Sequence, residues 1–307
     1  MPLLKINADG VTPVSERGDP DAIIGRVARD MPRTAPAVVM IHGYTHSPFS
    51  PAHDPHSHIL SLSPKANGRC LSWPQHLGFG IGNRSEGLAI AFGWNARGTI
   101  WQAYEAAGRA GIALSRTIRT IQATRPGPVD IIAHSLGART ALTAATLLPN
   151  GALGRVILLS GAEFGHCAAR ALASPAGQSA AFLNVTSGEN ILFDLLFQRL
   201  MQPPWRRAAA LGRGLPSNRP NWLDLRIDCP ATRSHLRHLG FHVPAPVRAV
   251  CHWSGYMRPG LFPLYRAFLR DRGSLSLTDL AQPVHRHDPR PPATAPVAAS
   301  CRLHPMV

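Results

Sequence analysis

The chain has 307 residues, of which 45% are hydrophobic, so it is long enough to bury one large core and too apolar for a disordered protein. Its 32 basic residues outnumber 17 acidic ones, which gives a formal net charge of +15. A surplus of this size attracts anionic partners. However, no basic stripe with interleaved aromatic residues and no nucleic-acid-binding motif is present, so we expect no nucleic-acid partner. An Arg-rich surface that faces solvent is the simpler interpretation, and binding of an anionic partner stays open.

The cysteines are widely spaced and include no C-x-x-C pair, so the sequence indicates neither a disulfide framework nor a zinc site. They are Cys70, Cys167, Cys229, Cys251 and Cys301. Residues 1–10 lack the basic-then-apolar order of a signal peptide, and no apolar run reaches the roughly 20 residues that span a bilayer. We therefore expect a cytoplasmic protein without a membrane span.

Residues 1–36 are predicted to form an N-terminal extension with edge strands, starting with a short strand at 3–6. The run Ala-Val-Val-Met-Ile at 37–41 is short, apolar and β-branched, which is typical of a buried strand in a parallel sheet. His42-Gly43-Tyr44 follows at the carboxyl end of that strand, where ligands bind in such sheets. Residues 45–82 then form a long loop. Its three histidines at 53, 56 and 58 lie in irregular chain, so a loop at the rim of the site is favoured over a metal site.

Apolar runs and helical patterns alternate through the rest of the chain. We predict strands at 88–92, 129–133, 156–159, 182–185 and 222–227, and helices at 101–121, 136–148, 168–173, 192–201 and 261–269. Such alternation predicts an α/β fold with a mostly parallel sheet and helices on both faces, over a domain at 37–281. The Arg-rich segment 203–221 is a possible flap, and the tail at 282–307, rich in Pro, Ala and His, is predicted to be disordered.

The sequence Ala133-His134-Ser135-Leu136-Gly137 joins a buried strand to a helix within very few residues. Small residues two before and two after Ser135 allow a sharp turn, and the pattern is that of a nucleophile elbow, G-x-S-x-G, with Ala in the first position. The turn would hold the Ser135 hydroxyl at the N-terminus of a helix, where free N–H groups favour negative charge. The alternative is a serine that merely caps an ordinary helix.

Acyl transfer needs a nucleophile, a base, a group that orients the base, and donors for the oxyanion. Ser135 is the candidate nucleophile. The backbone N–H groups of Leu136 and Tyr44 are the candidate oxyanion donors, one from the elbow and one from the His-Gly turn.

Together, the His-Gly turn after the strand at 37–41, the elbow, a later acid and a late histidine resemble the α/β-hydrolase superfamily over roughly residues 37–270. The resemblance implies a serine hydrolase of the lipase or esterase type that cleaves a carboxylic ester or thioester in a small acyl substrate. It implies no cofactor, and the oligomeric state is not indicated. The alternatives are a catalytically silent scaffold that acts as a binding module, and a thioesterase or acyltransferase with the same triad.

The resemblance also suggests the base. His252 follows the last predicted strand and precedes a terminal helix, as the family's histidine does. His235, His238 and His242 are rivals that suit a polar surface better. His134 points away from the elbow, so it is expected to pack or line the rim instead of accepting the proton.

The acid is expected after the strand at 182–185, which makes Glu189 the first choice. Asp194 lies further along and is the second candidate. Glu163, at the end of the preceding strand, is the third, because some members of the superfamily carry the acid there. Two of these three positions depart from the family's common Asp.

Overall fold

The computed structural model describes residues 3–64, 70–202, 208–216, 219–271, 273 and 275–281. The strands are β1 (Leu3–Asp9), β2 (Thr12–Val14), β3 (Ala37–Ile41), β4 (Leu88–Trp94), β5 (Val129–His134), β6 (Leu153–Leu159), β7 (Ala181–Thr186) and β8 (Trp222–Arg226). In the described part of the chain they form one sheet in the order β2-β1-β4-β3-β5-β6-β7-β8. Only the edge pair β1–β2 is antiparallel, which confirms the predicted mostly parallel sheet.

Helices cover both faces of this sheet, as predicted. They are α1 (Pro20–Arg29), α2 (Trp73–His76), α3 (Ile100–Thr124), α4 (Gly137–Ala145), α5 (Gly165–Ala173), α6 (Pro175–Ser179), α7 (Ile191–Met201), α8 (Pro230–His238), α9 (Ser254–Met257), α10 (Leu261–Arg270) and α11 (Leu277–Leu280). None of the helices in the described ranges combines the length and the apolar character needed to cross a bilayer.

The central strands are apolar throughout because both of their faces are covered. Along β3, Val39 and Ile41 belong to the core that includes α3 and α4, whereas Val38 and Met40 belong to the core that includes α10. All five residues of β3 are buried. A strand buried on both faces has a continuously hydrophobic sequence, without the alternation of a half-exposed strand.

Within residues 3–36, two strands extend the same sheet. Strand β1 pairs in parallel with β4, and β2 closes the edge. The apolar residues at 23–28 lie within α1. Asp19 caps that helix by accepting hydrogen bonds from two backbone N–H groups, and Pro20 occupies its first turn, both favourable at a helix start.

The predicted disordered tail and the possible flap lie wholly or partly outside the described residues. The tail at 282–307 lies outside the described residues, as do 203–207 and 217–218 of the possible flap. Within the flap segment, Ala210 and Leu211 are fully buried, and Ala210 forms a β-bridge with Phe164. The described part of the segment therefore packs on the body of the protein.

Left-handed backbone marks the carboxyl edge of the sheet. Within the described residues, three side-chain-bearing residues have positive φ: Thr45 (76°) after β3, Ser135 (54°) after β5 and Ser160 (46°) after β6. Each such conformation costs on the order of 1–3 kcal/mol, and such residues cluster at functional sites. The three turns lie on adjacent strands, so this edge is the place to look for a site.

Candidate active site

Ser135 lies in the tight turn that the sequence predicts. Strand β5 ends at His134 and α4 begins at Gly137, so only two residues make the reversal. The N–H of Ser135 donates to the carbonyl of Leu159 (3.0 Å), and its own carbonyl accepts from the N–H of Ala162 (3.0 Å). These bonds to the end of β6 and the loop after it hold the strained turn in place.

Two glycines let the turn after β3 approach this elbow. A Cβ added to Gly43 would lie 2.7 Å from the Ser135 Cβ, and one added to Gly137 would lie 2.6 Å from the carbonyl oxygen of His42. Side chains do not tolerate such distances, so only glycine allows both segments to pack this closely. The His-Gly turn and the elbow therefore form one compact unit.

His252 reaches this unit from far along the chain. Its Nε2 lies 2.8 Å from the Ser135 Oγ, in position to accept the hydroxyl proton. The half-buried ring packs between Phe193 and His134, each with a ring centroid 4.7 Å away. Burial lowers the pKa of His252 to about 4, so the imidazole is neutral near pH 7.

The other nitrogen of His252 contacts an amide. Its Nδ1–H donates to the Oδ1 of Asn190 (2.6 Å), and the Nδ2 of Asn190 donates to the Oδ1 of Asp194 (3.0 Å). Ser135, His252, Asn190 and Asp194 thus form a continuous hydrogen-bonded chain. Burial raises the pKa of Asp194 to about 7, although the hydrogen bond from Asn190 and the charge of Arg213 oppose the rise.

The comparisons with known proteins identify the family. A model of the alpha/beta hydrolase family matches residues 38–304. The chain belongs to the alpha/beta hydrolase family. No curated protein matches the sequence significantly.

Among solved structures, this α/β hydrolase is similar to the lipase BlEst2 of Bacillus licheniformis. For its propeptide form the identity is 12%, the TM-score is 0.31, and the match covers 56% of this chain and 41% of the lipase chain. For its mature form the identity is 11%, the TM-score is 0.34, and the match covers 64% and 84% of the two chains. The chain thus spans less than half of the propeptide form.

The candidate oxyanion donors lie on the two segments that pack together at the elbow, Tyr44 directly after Gly43 and Leu136 directly after Ser135. Among the described residues, neither Tyr44 nor Leu136 has a backbone acceptor for its N–H. The turn that carries Tyr44 is anchored by His42, whose Nε2 accepts from the N–H of Trp94 (3.0 Å) and whose Nδ1–H donates to the carbonyl of Gly43 (2.9 Å). This anchoring holds the turn against the elbow with a free N–H group in each segment.

Glu189 was the first choice for the acid that orients His252. In this α/β hydrolase its carboxylate does not contact the imidazole. The carboxylate forms a buried ion pair with Arg258 and accepts a hydrogen bond from the Ser187 hydroxyl (3.0 Å). Its backbone carbonyl accepts from the N–H of Cys251 (2.9 Å), directly before His252. Glu189 thus ties the loop after β7 to the loop that carries the histidine.

The other two candidate acids have different positions. Asp194 lies one hydrogen bond behind Asn190, so it belongs to the same chain of contacts without touching His252. Glu163 is buried among structural partners: it accepts from the Tyr104 hydroxyl (2.7 Å), from Arg139 Nη1 (2.8 Å) and from the N–H of Phe164 (2.9 Å). It therefore links α3, α4 and the start of α5.

Four other histidines hold parts of the fold together. His134 is buried, and its Nε2–H donates to the carbonyl of His252 (3.1 Å), which supports the histidine loop. His235 and His238, on α8, contact the backbone carbonyls of Asp279 (2.7 Å) and Ser234 (2.8 Å).

In the loop at 45–82, His56 contacts the Oδ1 of Asn7 (2.6 Å). Across the described ranges, no three His, Cys, Asp or Glu side chains are grouped to hold a metal ion.

Asn190 is the site residue that sequence reasoning missed. It follows Glu189 directly, and only carboxylates were considered for the third position. Two signals point to it. Asn occupies this place in Cys-His-Asn triads, and Asn190 and Asp194 are spaced i, i+4, at which side chains on a helix meet.

Proposed function

We propose that this α/β hydrolase cleaves a carboxylic ester or thioester through an acyl-enzyme intermediate at Ser135, with His252 as the general base. The observation that carries the proposal is the 2.8 Å contact between the Ser135 Oγ and the His252 Nε2 at a left-handed elbow. A hydroxyl becomes an effective nucleophile when a neutral base within hydrogen-bond distance takes its proton.

In the first half of the reaction, Ser135 Oγ attacks the substrate carbonyl carbon while its proton moves to His252 Nε2. The N–H groups of Leu136 and Tyr44 would donate to the oxyanion that forms. Losing one such donor costs about 3 kcal/mol of barrier. His252 then gives the proton to the leaving alcohol or thiol, and the acyl group stays on the serine.

In the second half, water attacks the acyl-enzyme and loses a proton to His252, which returns it to Ser135 as the acid leaves. Asn190 keeps the proton on Nδ1 throughout, so that Nε2 is always the nitrogen that exchanges protons. The amide is neutral, and the charge that offsets the imidazolium comes from Asp194 behind it.

The test is the variant Ser135→Ala compared with wild type on short-chain p-nitrophenyl esters and in labelling by a fluorophosphonate. We expect a loss of more than about 10⁴-fold in kcat and no labelling, since the remaining groups supply only binding and oxyanion stabilisation. His252→Ala should abolish labelling while Ser135 stays in place. Unchanged turnover in Ser135→Ala, or labelling of another residue, would refute the assignment.

A further inference from the structure

Helix α7 presents an apolar face to solvent. The exposed side chains between residues 191 and 200 are five aliphatic ones and one cationic one: Ile191, Leu192, Leu195, Leu196, Leu200 and Arg199. The aliphatic side chains are 41–54% exposed. A surface helix normally turns its polar residues outward. Here the helix's carboxylate, Asp194, is buried.

Two tryptophans extend this surface at its ends. Trp101 is 51% exposed, and its indole N–H donates to the carbonyl of Leu200 (2.9 Å). Trp253 is 49% exposed and directly follows His252, whose ring stacks on Phe193 of the helix. We call the five aliphatic residues and these two tryptophans the apolar face. It extends from the catalytic imidazole to the N-terminus of α3.

The helix cannot rotate to bury its leucines without losing the site. On its inner side, Asp194 holds Asn190, and Gln198 donates to the carbonyl of Ala208 (3.0 Å). Phe197 packs into the core. Because the hydrogen bonds that orient His252 fix the rotation of α7, the apolar face points outward whenever the site is assembled. Contiguous exposed apolar surface of this kind marks an interaction site.

Charge and composition indicate the partner. The chain carries a net charge of +15, and the exposed side of α7 contributes Arg199 and no carboxylate. A second copy would bring the same positive charge against this face, which opposes self-association. Anionic lipid headgroups attract basic proteins, apolar side chains enter the acyl boundary, and tryptophan favours the membrane–water interface. We propose that the apolar face docks on an anionic lipid membrane surface, with Ser135 and His252 beside the contact.

The proposal is tested by sedimentation of the full-length protein with vesicles of phosphatidylcholine, with and without phosphatidylglycerol. Ser135→Ala protein is used, so the result does not depend on turnover. We expect binding to vesicles that contain phosphatidylglycerol, weakened by salt, and much weaker binding to phosphatidylcholine alone. No binding to the anionic vesicles would overturn the proposal.

The variant Leu196→Gln with Leu200→Gln removes apolar surface without changing charge, and we expect at least about tenfold weaker vesicle binding. The matched control is Leu147→Gln with Ile81→Gln, whose side chains are 41% and 75% exposed away from α7. It should bind as wild type does. Equal binding by both double variants would overturn the proposal. So would a failure to bind vesicles together with a dimer, detected by light scattering, that the α7 double variant dissociates.

This result is separable from the proposed hydrolysis. With Ser135 restored, the Leu196→Gln, Leu200→Gln variant should hydrolyse a water-soluble ester at the wild-type rate, because neither side chain belongs to the catalytic chain. Loss of vesicle binding with retained soluble-ester turnover supports docking. Vesicle binding by a protein that hydrolyses no ester would leave docking supported and the hydrolase proposal refuted.

Discussion

At the scale of single residues, the unusual feature is a neutral amide between the imidazole and a carboxylate. In the proposed mechanism, Asn190 sets the tautomer of His252, and Asp194 supplies charge from one hydrogen bond further away. Because burial raises the pKa of Asp194 to about 7, that charge appears as the pH rises through neutrality. The imidazole, with a pKa of about 4, is already neutral over this range.

The rate should therefore depend on pH through Asp194. We expect kcat/KM for a soluble ester to rise roughly tenfold between pH 6 and pH 8, since a hydrogen bond to a charged group is about 1.4 kcal/mol stronger than a neutral one. In Asp194→Asn the rise should vanish and the rate should stay at the low-pH level. A pH–rate profile with a pH-stable ester measures both.

The swap Asn190→Asp with Asp194→Asn is the control. It places the carboxylate directly on His252 while keeping the number of hydrogen bonds and the net charge, so we expect activity near the wild-type level at pH 8. If Asp194→Asn alone retained the rise near pH 7, another group would be responsible and the role given to Asp194 would be wrong.

At the scale of secondary-structure elements, Glu163 holds helices together instead of serving the site. Its carboxylate is buried and joins Tyr104 of α3 to Arg139 of α4, and the Arg139 guanidinium also lies 3.6 Å from the centre of the Tyr104 ring. A buried charge that loses its partner destabilises a protein far more than an exposed one. This ion pair therefore contributes to the packing of the helices behind the elbow.

Replacing Glu163 by Ala should lower the free energy of unfolding by roughly 3 kcal/mol, because Arg139 and the Tyr104 hydroxyl lose their buried acceptor. Urea denaturation measures this. Glu105→Ala is the control: Glu105 is 72% exposed and lies 3.9 Å from Arg109, so its loss should cost less than about 0.5 kcal/mol. Fluorophosphonate labelling of the folded fraction should persist in both variants. Full stability with lost labelling would instead place Glu163 in the catalytic machinery.

At the scale of the whole molecule, buried neutral histidines make stability sensitive to acid. Burial lowers the pKa of His56 and of His252 to about 4, and it lowers the pKa of His42 and of His134 well below the ordinary value. Unfolded histidines take up protons near pH 6.5. The stabilising contribution is therefore complete above that pH and is lost as the pH falls. Asp194, with its raised pKa, opposes this trend.

We expect the melting temperature to fall steeply between pH 7 and pH 5, with each buried histidine contributing roughly 1 kcal/mol per pH unit. Scanning calorimetry or circular dichroism follows the transition. High salt separates this effect from repulsion between surface charges, which it screens. His56→Gln should show a shallower loss than wild type. An acid dependence that high salt abolishes would assign the loss to net charge instead of the buried imidazoles.

Much of the fold and half of the site could be predicted from the sequence because they depend on local patterns. Continuous apolar runs predict the buried strands, and small residues around Ser135 predict the elbow. His252 came from the resemblance to the α/β-hydrolase superfamily, whose histidine follows the last strand; its Nε2 lies 2.8 Å from the Ser135 Oγ. For the strands and the elbow, a few neighbouring residues contain the whole signal.

The tertiary structure alone decided which polar side chain faces the imidazole. Glu189 and Asn190 are adjacent in the 3₁₀ turn Gly188–Asn190, where successive side chains point about 120° apart, so packing determines which one reaches His252. Arg258, from beyond the histidine loop, pairs with Glu189 and leaves the imidazole to Asn190. The outward direction of the leucines on α7 follows from the same contacts. The orientation of these side chains depends on partners distant in sequence, so no local sequence pattern predicts it.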